Sequence, residues 1–159
     1  MCMSCDVQKI DTGNRWVVSR SVVIDAPAER IFDVIADPRQ HAAFDGSGTV
    51  KGSVKGPERL GLGDSFQMDM KITVPYRMSN TVKEFEENRR IAWAHIGGHR
   101  WRYELEPLEG GSTRVTETFD GTTARTKLTL KVLRADAMNA KAIDATLPRL
   151  KDYVEGQQA

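Results

Sequence analysis

Two ionisable residues occupy positions whose surroundings in the sequence are apolar. Strand-like alternation places His95 on the same face as Trp93, and Glu117 on the same face as Phe119. An imidazole or a carboxyl group held in a dry site can orient a polar group of a ligand or move a proton. A buried carboxyl group also has a raised pKa unless it is paired. Glu117 and His95 are therefore the candidate catalytic residues.

A structural role is the alternative for each of these residues. His95 stands beside the Gly97-Gly98 pair, where a hairpin turn is expected, so its ring could be solvated. Glu117 could accept a hydrogen bond from an arginine or from Tyr103 and serve only as a structural partner. The sequence leaves both alternatives open.

Aromatic and methionine side chains share the faces on which these two residues lie. Alternation groups Trp101 with Tyr103, and Met68 with Met70. Aromatic rings such as these and Trp93 can line a pocket and stack on a flat ligand, and methionine can form an adaptable wall. They can equally be ordinary core between a sheet and a helix.

The charge balance excludes several classes of function. The 159 residues carry 23 basic and 22 acidic side chains, a net charge of +1. This balance gives no footprint for nucleic acid, and no basic run in the sequence indicates a membrane surface. No apolar stretch approaches the roughly 20 residues of a spanning helix, and the first residues do not resemble a signal peptide. We therefore predict no nucleic-acid partner, no membrane insertion and a cytoplasmic location.

The two cysteines, Cys2 and Cys5, form a C-x-x-C pair near the first residue. A zinc site would need two more ligands, and His41, His95 and His99 lie far from the pair without ligand spacing. A pair of reduced thiols in a terminal tail is the simpler interpretation. We predict no metal and no cofactor, because phosphate-loop, nucleophile-elbow and zincin motifs are also absent from the sequence.

Hydrophobic periodicity predicts one α+β domain over residues 15–156 after a flexible tail at residues 1–14. Seven strands are expected near residues 15–26, 49–54, 65–73, 77–86, 89–96, 100–108 and 112–121. Two short helices should follow the first strand, the first ending at Asp37-Pro38. An apolar stripe from Met138 to Val154 predicts a long terminal helix, with a bend at Pro148.

The order of these elements resembles the START-like helix-grip superfamily, and within it the polyketide cyclase/dehydrase-type proteins common in actinobacteria. Three segments carry the resemblance: SVVIDAPAERIFDVIADPRQHAAFDGSG, RRIAWAHIGGHRWRYELEPLEGGSTRVTETFDGT and TLPRLKDYVE. The resemblance implies a curved antiparallel sheet of about seven strands wrapped around the terminal helix. It also implies a cavity between them for lipids, polyketides or other hydrophobic molecules.

The resemblance and the alternation together give a set of ligand-binding candidates. The set is Trp93, His95, Trp101, Tyr103, Glu117, Met68, Met70, Phe119, Ile143 and Leu147. The resemblance also places His41 and Asp45 in a loop at the mouth of the cavity, where they could gate it or simply lie on the surface.

Three functions are compatible with this sequence, because a fold does not fix an activity. The first is binding of a small hydrophobic ligand such as a lipid, polyketide or aromatic metabolite. The second is an enzyme of the polyketide cyclase or dehydratase type, with Glu117 and His95 as acid/base groups. The third is a protein-interaction module of the chaperone-activator type. Homodimer formation also stays open.

Overall fold

The protein is an α+β structure in which one large antiparallel sheet curves around a long helix. A computed structural model describes residues 6–132 and 134–157, and only the backbone of residues 52, 53, 129, 130 and 132. Cys2 and Cys5 lie outside the described residues. The strands are β1 (Gln8–Ile10), β2 (Val17–Ile24), β3 (Val50–Lys55), β4 (Ser65–Lys71), β5 (Pro75–Glu86), β6 (Arg90–Ala94), β7 (Arg100–Pro107) and β8 (Thr113–Asp120). The helices are α1 (Ala28–Ala36), α2 (His41–Phe44), α3 (Lys127–Val132) and α4 (Ala135–Gly156), and short 3-10 turns occupy Pro38–Gln40 and Glu109–Gly111.

The strand order is β1-β2-β8-β7-β6-β5-β4-β3, so consecutive strands from β3 to β8 form a meander that β2 closes against β8. The structure describes eight strands, where the sequence predicted about seven. The additional strand is β1, which lies inside the segment predicted to be a flexible tail. Its Lys9 pairs with Arg20 of β2. The prediction missed β1 because three polar-flanked residues show too little alternation to indicate a strand.

Side-chain alternation decides which face of the sheet is buried. In β7, Tyr103 and Leu105 are buried, whereas Glu106 is exposed. In β8, Val115, Glu117 and Phe119 are all buried. The buried set of both strands lies on one side of the sheet, as the alternation predicted.

Helix α4 covers this inner face of the sheet, with its most extensive contacts to β2. The predicted apolar stripe is fully buried at Ile143, Leu147, Leu150 and Val154, whereas Met138, its predicted first member, is exposed. The helix continues through Pro148 as a single element of 22 residues. Burial of Leu147 and Leu150 on either side offsets the hydrogen bond that proline cannot donate.

The loop after α2 lies directly on α4, and Gly46 makes this approach possible. A Cβ atom at residue 46 would lie 2.4 Å from the amide nitrogen of Thr146, so only glycine fits. The Gly46 N–H donates to Thr146 Oγ1 at 2.9 Å, and Arg149 donates to the carbonyl oxygen of Asp45 at 3.0 Å. This loop therefore fixes Asp45 against the helix, near the buried face of the sheet.

Candidate functional site

Glu117 lies on the buried face near the middle of the sheet. Antiparallel pairing places it opposite Arg20 of β2 on one side and Tyr103 of β7 on the other. Its side chain is nearly fully buried, and the Tyr103 hydroxyl donates a hydrogen bond to Oε1 at 2.9 Å. Oε2 is buried without a hydrogen-bond partner among the described residues. One buried carboxyl oxygen is thus left unsatisfied, which is uncommon in folded proteins.

The surroundings of Glu117 hold its carboxyl group in the neutral form. Burial raises the pKa of Glu117 from 4.5 to about 8; the Tyr103 hydrogen bond lowers it in part and the charge of Asp45 raises it. At neutral pH the group is therefore protonated. With Oε1 accepting from Tyr103, the carboxyl proton on Oε2 is available to a hydrogen-bond acceptor.

Arg20 is the cross-strand neighbour of Glu117, but its guanidinium group makes its hydrogen bonds to other residues. Its Nε donates to Asp144 of α4 at 3.0 Å, and another guanidinium nitrogen donates to the Ser19 carbonyl oxygen. The arginine thus joins the sheet to the helix and makes no hydrogen bond to Glu117. Tyr103 is also neutral, because burial and the neighbouring Glu117 raise the pKa of its hydroxyl well above the usual value.

An aromatic cluster adjoins this carboxyl group. The cluster consists of His41, Phe66, Trp93 and Tyr103, with His41 stacked on Trp93 at a centroid distance of 5.0 Å. Phe66 meets Trp93 edge to face at 5.6 Å, and Trp93 lies 5.7 Å from Tyr103. The Tyr103 ring thus joins the Glu117 carboxyl group to a set of packed aromatic side chains.

His41 is a site residue whose burial the sequence did not reveal. Its Nε2–H donates to the Ile35 carbonyl oxygen at 2.7 Å, and burial lowers the pKa of the imidazole. The ring is therefore a neutral part of the aromatic cluster. The segment HAAF is only four residues long, too short for its sequence to indicate which side of the helix is buried. His41 points inward because of the position of α2 beneath the sheet.

The structure does not bring His95 to Glu117. Strand β6 ends at Ala94, so His95 lies in the turn that follows, where its Nδ1 accepts from the Gly97 N–H at 3.2 Å. Its ring contacts His99 at a centroid distance of 3.8 Å. Alternation failed here because β6 ends at Ala94, two residues before the predicted end of the strand at residue 96. His95 instead lines a groove of about 380 Å³ with residues of the outward face of β5, such as Thr81.

The other predicted ligand-binding residues occupy the inner side of the sheet and the facing helix. Met68 and Phe119 are buried, Trp101 and Met70 are half-buried, and Ile143 and Leu147 lie in the fully buried stripe of α4. Trp101 packs edge to face on Phe119 at 5.2 Å. Their placement is compatible with the prediction, and their contact with a ligand stays a prediction. In the described part of the chain, no group of three or more His, Cys, Asp or Glu side chains could hold a metal ion.

A family model described as polyketide cyclase / dehydrase and lipid transport matches residues 15–155. The chain belongs to this family. The match covers nearly all the described residues and confirms the resemblance seen in the three sequence segments. Membership supports a role with hydrophobic ligands and leaves the ligand and the reaction open.

A relative in Mycobacterium tuberculosis shares much of the sequence of this chain. The uncharacterized protein Rv0088 of Mycobacterium tuberculosis is 44% identical over 146 residues, covering 88% of this chain and 65% of that protein. The chain thus spans about two thirds of the length of the relatives it matches.

Two solved structures share the fold at low sequence identity. Protein NE0264 from Nitrosomonas europaea has a TM-score of 0.71 at 15% identity, covering 94% of this chain and 99% of the other. The Polyketide_cyc-like protein Cgl2372 from Corynebacterium glutamicum has a TM-score of 0.62 at 19% identity, covering 90% and 93%. These similarities confirm the predicted helix-grip fold. Among the described residues, no helix is long and apolar enough to cross a membrane, and the cytoplasmic location stays a prediction.

Proposed function

We propose that the protein binds a small, largely hydrophobic molecule between the sheet and α4, and that Glu117 with Tyr103 recognises a polar group of that molecule. The observation that carries this proposal is the buried, unpartnered Oε2 of Glu117. Leaving such an atom unsatisfied costs about 1–3 kcal/mol. A ligand that accepts a hydrogen bond from it would remove this cost.

The chemistry of the site specifies what kind of molecule fits. The neutral Glu117 carboxyl group offers a donor, so a carbonyl, ester or ether oxygen is the matching ligand atom. The rings of Trp93 and Phe66 offer apolar surface and π faces for the remainder of the molecule. Lipids, polyketides and aromatic metabolites all combine these two features, and the family description names polyketides and lipids.

Acid/base catalysis is a second candidate, favoured by the raised pKa of Glu117. A carboxyl group that is still protonated at neutral pH can donate a proton to a ketone or hydroxyl oxygen, as cyclisation or dehydration requires. Tyr103, and not His95, is the group placed to assist, since its hydroxyl already contacts Glu117.

Native mass spectrometry and thermal-shift screening against fatty acids, polyketides and aromatic ketones test the first proposal. We expect at least one such molecule to bind and to raise the melting temperature. The affinity should fall about tenfold in Glu117→Leu, because the ligand oxygen loses its hydrogen-bond donor in a dry site. A loss of the mass of one water from the bound molecule would show dehydration, and a ring closure of unchanged mass would be detected by chromatography of the released molecule.

The matched control is Glu106→Leu, which replaces an exposed carboxylate of β7. It should leave the affinity unchanged. The double variant Glu117→Leu/Tyr103→Phe removes both partners of the buried hydrogen bond. It shows whether a loss of affinity in Glu117→Leu comes from the missing carboxyl group or from a Tyr103 hydroxyl left without a partner. Binding that is equal in the wild type and in Glu117→Leu would contradict the proposed role of Glu117, and a complete absence of hits would contradict ligand binding.

A further inference from the structure

Most large apolar side chains that remain exposed belong to segments near one end of the sheet. Ile72 and Val74, in the β4–β5 turn, are each 69% exposed, and Ile96, in the β6–β7 turn, is 84% exposed. Leu128, at the start of α3, is 70% exposed. Tyr76, at the start of β5, is also exposed, as is Met138 in the first turns of α4. Single exposed apolar residues are normal, but a concentration near one end marks an interaction surface.

The strand register explains why these residues come together. Ala94, the last residue of β6, pairs with Arg100, and Arg100 pairs with Asp120 at the end of β8. The β6–β7 turn and the β8–α3 connection therefore lie side by side. They are joined by Arg125 N–H donating to the Gly97 carbonyl oxygen at 2.9 Å.

The β4–β5 hairpin extends beyond this row of residues. Ala94 also pairs with Thr81, so residues 75–80 of β5 project past the end of β6. Six residues of strand span about 20 Å, which places Ile72 and Val74 at the tip of an arm. The groove that contains His95 connects the base of this arm with Ile96 and Arg125.

The same three segments are basic. We call residues 71–77, 95–100 and 121–128 the basic rim. They contain no aspartate or glutamate, and their cations are Lys71, Arg77, Arg100, Arg125 and Lys127. Arg77 pairs with Asp69, and Arg100 pairs with Glu84. Lys71, Arg125 and Lys127 form no ion pair among the described residues. The turns at the opposite end of the sheet carry charges of both signs, with Glu87 and Arg89 between β5 and β6 and Glu109 between β7 and β8.

We propose that the basic rim docks on a lipid bilayer that carries anionic headgroups, with the β4–β5 tip inserted among the headgroups. Cations attract the negative surface, and apolar side chains enter the boundary between headgroups and acyl chains. A soluble anion would satisfy the lysines but leave Ile72 and Val74 in water. A second copy of this chain docking rim to rim would bring like charges together. This surface could not be predicted from the sequence, because the cations of the basic rim lie in three separate segments that only the fold brings together.

Co-sedimentation with phosphatidylcholine vesicles, with and without phosphatidylglycerol and at low and high salt, tests this inference. We expect binding that requires phosphatidylglycerol and weakens with salt. Lys71→Gln and Lys127→Gln should each reduce the partition coefficient about fivefold. Ile72→Asp/Val74→Asp should reduce it at least about tenfold, because the variant loses two apolar contacts and gains two negative charges.

Matched controls lie at the opposite end of the sheet. Leu62, which precedes β4, is 67% exposed, so Leu62→Asp introduces a charge at similar exposure without touching the basic rim. Arg89→Gln removes an exposed cation from the β5–β6 turn. Both should bind vesicles like the wild type.

Several outcomes overturn the proposal. These are an absence of vesicle binding, binding that ignores phosphatidylglycerol, and equal losses in the rim variants and their controls. A dimer that disperses in Ile72→Asp/Val74→Asp, without vesicle binding by the wild type, would assign the basic rim to self-association. The test does not use the proposed ligand, so its result is independent of the role of Glu117.

Discussion

Glu117→Gln should be more stable than the wild type at pH 9 and equally stable at pH 4. Glutamine has nearly the shape of the neutral carboxyl group, and its carbonyl oxygen can still accept the Tyr103 hydrogen bond. The wild-type carboxyl group, by contrast, has to ionise in a buried site as the pH rises. We expect the difference in the free energy of unfolding to be on the order of 3–5 kcal/mol at pH 9.

The sign of this pH dependence follows from the raised pKa. The folded protein holds the Glu117 proton up to about pH 8, whereas the unfolded chain releases it near 4.5. Between these values the folded state binds more protons, so wild-type stability falls as the pH rises. The loss is complete above the folded pKa and absent below the unfolded one.

Urea unfolding of both proteins from pH 4 to pH 9 measures this difference. Comparison of the two proteins cancels the titration of all other groups. Glu106→Gln, which changes an exposed carboxylate on the neighbouring strand, should follow the wild type at every pH. Parallel stability curves for the wild type and Glu117→Gln would show that Glu117 is not held neutral by the fold.

Gly46→Ala should destabilise the protein by about 3 kcal/mol, because overpacking against backbone cannot be relieved by a side-chain rotation. The new Cβ atom would lie 2.4 Å from the Thr146 nitrogen and 2.5 Å from the Ala145 carbonyl carbon. The loop would have to lift from α4 and lose the hydrogen bonds that Thr146 and Arg149 make to it. Thermal and urea unfolding measure the effect.

Gly61→Ala is the control for the general cost of replacing a glycine. A Cβ atom there meets nothing closer than 3.5 Å, from the Asp64 side chain, and the change should stay within about 1 kcal/mol of the wild type. Similar stabilities for Gly46→Ala and Gly61→Ala would mean that the loop does not rest on α4 as described.

Strand alternation predicted the buried carboxyl group well. Glu117 and Tyr103 lie in strands whose inner and outer residues differ strongly in polarity, so a period of two placed both side chains correctly. The α4 stripe was equally clear, because Ile143, Leu147 and Val154 repeat at helical spacing.

Residues at strand ends and in short helices were harder to place. His95 was predicted inside a strand ending at residue 96, but β6 ends at Ala94, and a residue beyond a strand end no longer follows the alternation of the strand. His41 lies in a helix of four residues, too short for a periodic signal. The basic rim could not be predicted either, since its three segments are far apart in sequence and only strand pairing brings them together.

The most direct test of the account is a carbon-13 NMR titration of the Glu117 carboxyl resonance, assigned by its loss in Glu117→Gln. In the free protein the resonance should titrate with a midpoint near 8. With a hit from the ligand screen at saturation, the chemical shift and the midpoint should both change, because the ligand oxygen takes the hydrogen bond from Oε2. A midpoint near 4.5, or a titration curve that the bound ligand leaves unchanged, would contradict a binding site built around this carboxyl group.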